Sequence, residues 1–479
     1  MGEARRIGRN LSSQTLASLI TQLLILVIAI VLARTLGVEQ YGIFVFGFAF
    51  PSWFIVFISL GLDSVYTIEV AADRRKAGRY LTTIAVLRLA LVAIAVLALW
   101  VFTNLVLDDP FARTVTLLLG IAGILQTYAG TFTAVFRAFE RIEFDALVVV
   151  AERLVTTALV VLLLVLGRGL LEISIVYIAG GVLVLTLSMV LVRRRFTWFA
   201  RLVDRQELSR LLRLATPFAL AAVVVAFANA AGPVLLTLLL DPTATGQFNA
   251  ALNIYFAFVS FLSVYHLVLL PTMSRLGRET PEELSGVLQR SQKLAFILGF
   301  AIALGGWLYA EEIVTLFYGD AFRDSARSLA VLVFAVALST AVLGAATALA
   351  ATGRQTLNLL MGTAGAATVL GLDLALIPTY GHVGAAYAVL ASVLLTASVR
   401  FIAVRRLVAP IDPWATYGRT VIAGFAMLLL LVFLPPLPLV FGAPLGASVY
   451  FLLLFVTRGL TKEDWTLVKE ALQGALFRR

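Results

Sequence analysis

A few charged side chains interrupt the long apolar runs of this sequence, and they are the residues best suited to binding or ion transfer. Arg88 and Arg153 each lie within an apolar run, and Glu152 precedes Arg153. Asp63 and Asp373 are carboxyl groups in similar surroundings. A guanidinium presents a fork of donors that matches a phosphate, whereas a carboxyl group in apolar surroundings suits exchange of H⁺ or Na⁺. The arginines are therefore candidate phosphate ligands, and Asp63, Glu152 and Asp373 are candidate ion-coupling groups.

The same charges also have a structural interpretation, which the sequence leaves open. Buried ions are usually paired. In this interpretation Asp63 or Glu152 pairs with Arg88 or Arg153, and the pairs fix the register of neighbouring helices. In the functional interpretation at least one of the two arginines faces a central cavity.

Uncharged polar residues form two further stripes at helical spacing. Gln22 continues a stripe that begins at Thr15 and Ser18, and Asn253 lies in a second stripe that His266 continues more deeply. These stripes could line a hydrophilic cleft, but polar side chains in bundles also form hydrogen bonds between helices. We count Gln22, Asn253 and His266 as candidate lining residues.

Most enzyme chemistry is excluded by what the sequence lacks. It has no cysteine and only two histidines, without metal-ligand spacing, and no phosphate-binding loop of the GxxxxGK[ST] kind. Asp108 and Asp109 form the only acidic pair in an outer connection suited to a metal, but the following Pro110 favours an exposed turn. The sequence therefore predicts a protein that is not an enzyme, with no metal, no cofactor and no nucleic-acid partner.

The elements that carry these residues follow from composition. Of 479 residues, 61% are hydrophobic and 13% charged, with a mean hydropathy of +1.00. A soluble protein carries about 25% charged residues, and a spanning helix needs about 20 apolar ones. The sequence therefore predicts an all-α polytopic membrane protein with fourteen transmembrane helices. The predicted spans are 12–34, 41–68, 80–106, 114–138, 144–166, 171–192, 215–239, 245–274, 291–309, 326–351, 356–377, 383–403, 415–435 and 440–457.

The distribution of basic residues predicts the orientation. If the N-terminus is inside, the inner connections hold 30 of the 37 lysines and arginines and the outer ones hold 5. Only Arg88 and Arg153 then remain within spans. Because cytoplasmic loops are enriched in Lys and Arg, both termini are predicted to be cytoplasmic, in a multi-pass protein of the cytoplasmic (inner) membrane.

Two stretches of the sequence are similar to each other and indicate an internal duplication. Tyr41-Gly-Ile-Phe, entering the second span, matches Thr245-Gly-Gln-Phe, entering the eighth, at an offset of 204. Six spans per copy give two pseudo-symmetric six-helix lobes in the same orientation. The predicted segments are an N-lobe at 1–192, a cytoplasmic amphipathic linker at 193–213, a C-lobe at 214–406, a two-helix hairpin at 407–458 and a cytoplasmic amphipathic tail at 459–479.

The linker is predicted to be an interfacial helix. Phe196, Phe199 and Val203 are at helical spacing, and Arg201 and Arg205 lie on the other side. Such a helix would act as a strut on anionic lipid; a solvated basic linker is the alternative.

Several motifs resemble a known family. Ala33-Arg34-Thr-Leu-Gly37-Val-Glu-Gln-Tyr41-Gly42 is similar to the pattern found in polysaccharide-biosynthesis flippases, the O-antigen and exopolysaccharide branch of the multidrug/oligosaccharidyl-lipid/polysaccharide (MOP) superfamily. Supporting motifs are Phe136-Arg-Ala-Phe-Glu-Arg, Leu270-Pro-Thr-Met-Ser-Arg275 and Thr352-Gly-Arg-Gln355. The resemblance covers about residues 1 to 410.

The resemblance implies a fold and a function. The fold is a V of two six-helix lobes, as in MATE transporters. The implied function is flipping of a polyprenyl-diphosphate-linked glycan to the outer leaflet, with membrane lipids and polysaccharide-assembly machinery as partners. By this analogy Arg88, Arg153 and, near the outer end, Arg34 would meet the diphosphate. Lipid II flippases carry basic residues at depth in both lobes, whereas spans seven and eight here offer only His266, which favours another lipid-linked glycan.

Two other functions remain open at this point. One is a multidrug or cation antiporter of the same superfamily, in which carboxyl groups such as Asp63 and Asp373 exchange H⁺ or Na⁺ for drug. The other is a polytopic glycosyltransferase, for which Asp108 and Asp109 would have to hold a metal.

Overall fold

The structure is a computed structural model, and most of the chain can be described in it. Residues 1, 202, 204, 280, 434–436, 458 and 461–479 lie outside the described residues. Only the backbone is described for 2–21, 264–272, 274, 277–279, 281 and 282. The predicted amphipathic tail at 459–479 therefore lies almost wholly outside the described part.

The described residues form helices and connections, with no strand, which confirms the predicted all-α membrane fold. The helices are α1 (Gly2–Ser59), α2 (Leu62–Ala72), α3 (Ala77–Val106), α4 (Pro110–Ala138), α5 (Ile142–Val165), α6 (Leu170–Arg195), α7 (Arg205–Leu239), α8 (Pro242–Glu279), α9 (Pro281–Leu308), α10 (Ala310–Tyr318), α11 (Ser325–Ala351), α12 (Gln355–Leu407), α13 (Arg419–Phe433) and α14 (Leu439–Val456).

Two of these helices are much longer than a bilayer is thick. α1 has 58 residues and breaks at Gly37, and α12 has 53 and breaks at Gly381. Both glycines have positive φ, 79° and 58°, which a residue with a side chain rarely adopts. Because about 20 residues cross the apolar layer, each of the two helices is long enough to cross it twice.

Eleven helices in the searched part of the chain are long and apolar enough to span a membrane, counting α1 and α12 once each. The fourteen-span count and the two lobes stay predictions.

The chain divides into two compact units, Met1–Asn249 and Ala250–Arg479. The predicted boundary, at 193–213, lies earlier, because α7 packs against α1 and α2 of unit 1. Trp53 of α1 stacks on Phe227 of α7 with ring centroids 4.9 Å apart, and its indole nitrogen donates to the Phe227 carbonyl.

In unit 2, the hairpin of α13 and α14 packs on α9. The Tyr450 hydroxyl of α14 donates to the carbonyl of Ile297 at 3.0 Å. Gly424 of α13 lies against the ring of Phe300, where any side chain would collide. Small residues allow such close helix contact in membranes.

The predicted linker helix at 193–213 is wrong. α6 ends at Arg195, and residues 197–201 are not helical. Phe196 packs among Phe136, Phe139 and Phe144, with centroid distances of 5.4 to 5.5 Å. The backbone amides of residues 200 and 203 donate to the hydroxyls of Thr82 and Thr83 on α3 instead of to helical carbonyls. These tertiary contacts outweigh the helical spacing of the apolar residues.

Candidate functional site

Arg88 of α3 is completely buried and is held by a carboxylate of α2. Its Nη2 lies 2.9 Å from Asp63 Oδ1, and the arginine side chain has no exposed surface. The turn at Leu60 and Gly61, both at positive φ, ends α1 and places Asp63 in the first turn of α2. The pair therefore joins α2 to α3.

Both terminal nitrogens of Arg88 also donate to neighbouring helices. Nη1 donates to the Thr131 hydroxyl at 2.7 Å and to the Thr127 carbonyl, and Nη2 donates to the carbonyl of Ser59. Gly130 lies beside the ion pair, where an added methyl group would make an ordinary contact with Asp63 at 3.4 Å. The structure thus contains the ion pair of the structural interpretation, and in this conformation a ligand has no access to Arg88.

Glu152 and Arg153 of α5 form a second charged group, with a different exposure. Glu152 is buried, and its Oε1 accepts from the Thr156 hydroxyl at 3.2 Å. Gly180 of α6 makes space for it, since an added methyl group would lie 3.1 Å from Oε1. Arg153 Nε lies 3.5 Å from Glu152 Oε2, yet 29% of the arginine side chain is exposed.

An aromatic ring of α6 lies near this second group. Tyr177 of α6 interacts electrostatically with both Glu152 and Arg153. Tyr177 in turn packs against Phe44 and Phe48 of α1, at centroid distances of 5.6 and 5.0 Å. The partly accessible Arg153 lies about 16 Å along α5 from its start at Ile142, at 1.5 Å per residue.

The other candidate residues of unit 1 lie on α1. Arg34 is exposed and precedes the break at Gly37 by three residues, which places it at the end of that helical segment. Gln22 is also exposed. The structure brings neither of them into contact with Arg153 through any hydrogen bond or ion pair among the described side chains.

In unit 2, the candidate residues differ in burial. Asn253 of α8 is half-buried and interacts with the hydroxyl of Tyr318. Asp373 of α12 is 1% exposed, and among the described residues its Oδ1 has no hydrogen-bond partner. The side chain of His266 lies outside the described residues.

Arg400 was missed by the sequence analysis, which counted it with a cytoplasmic connection. It lies within α12, seven residues before the end at Leu407, and is only 9% exposed. Its Nη2 donates to the Asn358 carbonyl, while its Nε has no hydrogen-bond partner in the part of the chain that is described. The sequence does contain a pattern that indicates a helical position for Arg400, because Ser392, Thr396 and Arg400 recur every four residues on one helix face. Arg88 and Arg153 are therefore not the only arginines inside spans.

In the acidic pair at 108–109, the side chain of Asp109 binds backbone amides. Asp109 caps α4: its two carboxylate oxygens accept from the amides of Phe111 and Ala112, each at 3.0 Å, and Pro110 is the first helical residue. This confirms the predicted exposed turn. In the searched part of the chain, no group of three His, Cys, Asp or Glu side chains could hold a metal.

Charged side chains inside spanning helices are rare and usually mark a substrate or ion pathway. The family model described as polysaccharide biosynthesis protein matches residues 7–277. The chain therefore belongs to the polysaccharide biosynthesis protein family. No curated protein sequence matches the chain.

Solved structures give the same class. The lipid II flippase MurJ in an inward closed conformation superposes with a TM-score of 0.78 at 13% identity, covering 92% of this chain and 98% of MurJ. An inward-facing multidrug resistance MATE family transporter of the MOP superfamily gives 0.61 at 16% identity, covering 81% and 94%. A Vibrio cholerae MATE transporter in the bent form gives 0.57 at 14%, covering 85% and 98%. The fold is that of flippases and transporters of the MOP superfamily.

Proposed function

We propose that this protein flips a polyprenyl-(di)phosphate-linked oligosaccharide from the cytoplasmic to the outer leaflet by alternating access, for surface polysaccharide assembly. The observation that carries the proposal is the accessible guanidinium of Arg153 inside the spanning helix α5. A charge at such depth costs about 2.5–3.5 kcal/mol and usually serves a substrate or ion pathway. Membership of the polysaccharide biosynthesis family supports the same substrate class.

In this proposal Arg153 binds the phosphate while Glu152 holds the arginine in place. A bidentate arginine contact suits a phosphate, because two parallel N–H groups match two of its oxygens. Asp63 pairs with the enclosed Arg88, so Arg88 becomes a ligand only if the pair opens. Arg34, Gln22, Asn253 and His266 are proposed to line the path of the sugar, and the lipid tail stays in the bilayer.

The location follows from the charge asymmetry of the sequence. With 30 basic residues on one side and 5 on the other, we propose that both termini lie in the cytoplasm and that the protein resides in the inner membrane. Membrane lipids and the polysaccharide-assembly machinery are the proposed partners.

The structure weakens the sequence argument against lipid II as the substrate. The argument against lipid II was the lack of basic residues in the seventh and eighth spans. Arg400 adds a buried cation to unit 2, in α12. We keep another lipid-linked glycan as the proposed substrate, since the predicted spans seven and eight, 215–239 and 245–274, still supply only His266.

A cation-coupled drug antiporter is the second candidate, and Asp373 favours it. A carboxyl group buried in a spanning helix, with Oδ1 unpaired among the described residues, suits reversible protonation. Asp63, which is 26% exposed, is the other candidate. Drug efflux that depends on a proton gradient, with no change in lipid-linked sugars on deletion of the gene, would establish this function in place of flipping.

A glycosyltransferase is disfavoured because Asp109 caps α4. Purified protein given a lipid-linked sugar donor should transfer no sugar to an acceptor. Detected transfer would overturn the flippase proposal.

The flippase proposal is tested by transport itself. On deletion of the gene, lipid-linked oligosaccharide should accumulate facing the cytoplasm. In proteoliposomes, R153Q should lower flipping about 10- to 100-fold, since a hydrogen bond to a charged group contributes about 1.5–3 kcal/mol. R153K should retain part of the rate, because the ammonium keeps the charge without the fork.

R168Q is the matched control for R153Q, because Arg168 is exposed in the connection after α5. Its rate should equal that of wild type. If R153Q and R153K both flip lipid at the wild-type rate while folded, Arg153 is not the phosphate ligand.

A further inference from the structure

His382 makes three polar contacts at the break of α12, and none of them belongs to the proposed substrate path. Its Nε2 lies 2.8 Å from Asp324 Oδ2, and its Nδ1 lies 2.7 Å from the hydroxyl of Ser328. The same hydroxyl donates to the backbone carbonyl of His382 at 3.1 Å. Because Gly381 breaks α12 one residue earlier, these contacts fasten the break to the start of α11.

A count of hydrogens distinguishes the two charge states of the imidazole. Each of the three contacts joins two heavy atoms and needs one hydrogen. A neutral imidazole has one N–H and Ser328 has one O–H, which together satisfy only two contacts. The imidazolium has two N–H groups, so it donates to Asp324 and Ser328 while Ser328 donates to the His382 carbonyl. Only the protonated ring satisfies all three.

The charges around the ring are of both signs. Asp324 is 45% exposed and its Oδ1 also pairs with Arg327 Nε at 3.1 Å. Arg323 pairs instead with Glu311 of α10 and with Asp320. The imidazole therefore shares one carboxylate with Arg327.

The set of a serine, a histidine and an aspartate does not act as a hydrolase. In a hydrolytic triad the serine oxygen must be open to a carbonyl group, and it bonds to Nε2 of the histidine. Here Ser328 is fully buried and faces Nδ1. The arrangement can hold a proton but cannot perform acyl transfer.

We infer that His382, Ser328 and Asp324 form a proton-binding site that holds the break of α12 against α11. The ring is 13% exposed, which gives a proton access from solvent. Under the orientation proposed above, that solvent is on the outer side of the membrane. Proton binding there tightens this end of unit 2, and loss of the proton leaves one of the three contacts without a hydrogen.

The protonation of His382 can be measured directly, because the chain has few histidines. The protein has two histidines, so H266Q labelled with ¹⁵N-histidine reports on His382 alone. Magic-angle-spinning NMR of this variant in lipid bilayers shows whether one or both ring nitrogens carry hydrogen. We expect both to carry hydrogen at the acid end of a titration from about pH 8 to about pH 5, with Nδ1 losing its hydrogen as the pH rises.

Three variants in the H266Q background test the individual partners. D324N should move the protonation midpoint to lower pH by about one unit or more, because it removes the opposite charge. R327Q should move it to higher pH, and S328A should lower it by removing the hydrogen-bond partner. A ring that stays singly protonated over the whole range, or a midpoint unchanged in both D324N and S328A, overturns the inference.

The link to transport rests on the proposed function and is measured separately. If protonation of His382 controls transport, the dependence of flipping on outer pH should disappear in H382Q and persist in R168Q. A protein that flips no lipid but shows the NMR titration would refute the proposed function alone. A pH dependence that persists in H382Q would refute the control of transport by this site.

Discussion

Gly42 of α1 lies against the backbone of Pro242, and Gly246 of α8 lies against the backbone of Val38. The two contacts are reciprocal: adding the offset of 204 to Val38 and Gly42 gives Pro242 and Gly246. In each, a methyl group on the glycine would overlap a carbonyl oxygen. A self-complementary contact of this kind is what two copies related by a two-fold axis would make; the internal duplication stays a prediction.

Alanine at either glycine should therefore separate the two backbones. We expect G42A and G246A each to lower the free energy of unfolding by about 1–3 kcal/mol, the usual cost of overpacking. Thermal unfolding in detergent measures the effect. The double variant should cost less than the sum, because both substitutions widen one contact.

G305A is the matched control, since Gly305 lies in α9 with open space where a methyl group would go. It should leave stability unchanged or slightly raised, because alanine favours helix. Equal stability of G42A and G305A would show that the reciprocal contact does not form.

Removal of the Asp63 charge should strongly destabilise unit 1. D63N leaves the fully buried Arg88 without its carboxylate, and an uncompensated buried charge costs about 3–5 kcal/mol. The double variant R88M/D63L, which has no charge to bury, should be more stable than D63N. Unfolding of the three proteins gives the coupling energy.

If Arg88 binds substrate in another conformation, R88M/D63L should be stable but inactive in flipping. A stable and active double variant would establish that the pair is structural only.

The cap at the start of α4 predicts a small, local effect. D109A removes the acceptor for the amides of Phe111 and Ala112 and should cost about 0.5–2 kcal/mol. D108A, next to it and exposed, should cost less than D109A. Flipping by both variants should continue, and loss of transport in D109A without loss of stability would contradict a purely structural role.

Substitution of Asp373 is the strongest test of ion coupling. D373N keeps the shape of the side chain but cannot release a proton. If the carboxyl group couples transport to H⁺, D373N should lose the dependence of transport on a proton gradient while its stability is retained. D108N is the control, and an unchanged gradient dependence in D373N would exclude this residue as the coupling site.

The membrane fold could be predicted because its signals are local. An apolar run of about 20 residues predicts a spanning helix wherever it lies in the sequence. The lysines and arginines of the connections predict the orientation, and counting them requires no knowledge of tertiary contacts. Asp109 followed by Pro110 likewise predicts a helix start, because a cap satisfies amides two and three residues away.

The linker shows where local signals fail. Phe196 and Val203 are at helical spacing, yet Phe196 enters a cluster of rings from α4 and α5, and the Val203 amide donates to Thr83 of α3. Spacing within one segment carries no information about which distant residues will compete for its amides and its apolar surface.

The sequence by itself determined that Arg88 and Arg153 lie in apolar surroundings and need a partner, a phosphate or water. Only the tertiary structure decided that Arg88 is enclosed by Asp63 and Thr131 while Arg153 keeps an exposed face. It also revealed Arg400 within α12 and the contacts of His382 with Ser328 and Asp324. The physical reason is that the burial and pairing of a charge depend on helices far apart in sequence, whereas its need for a partner follows from the residue type and the apolar run around it.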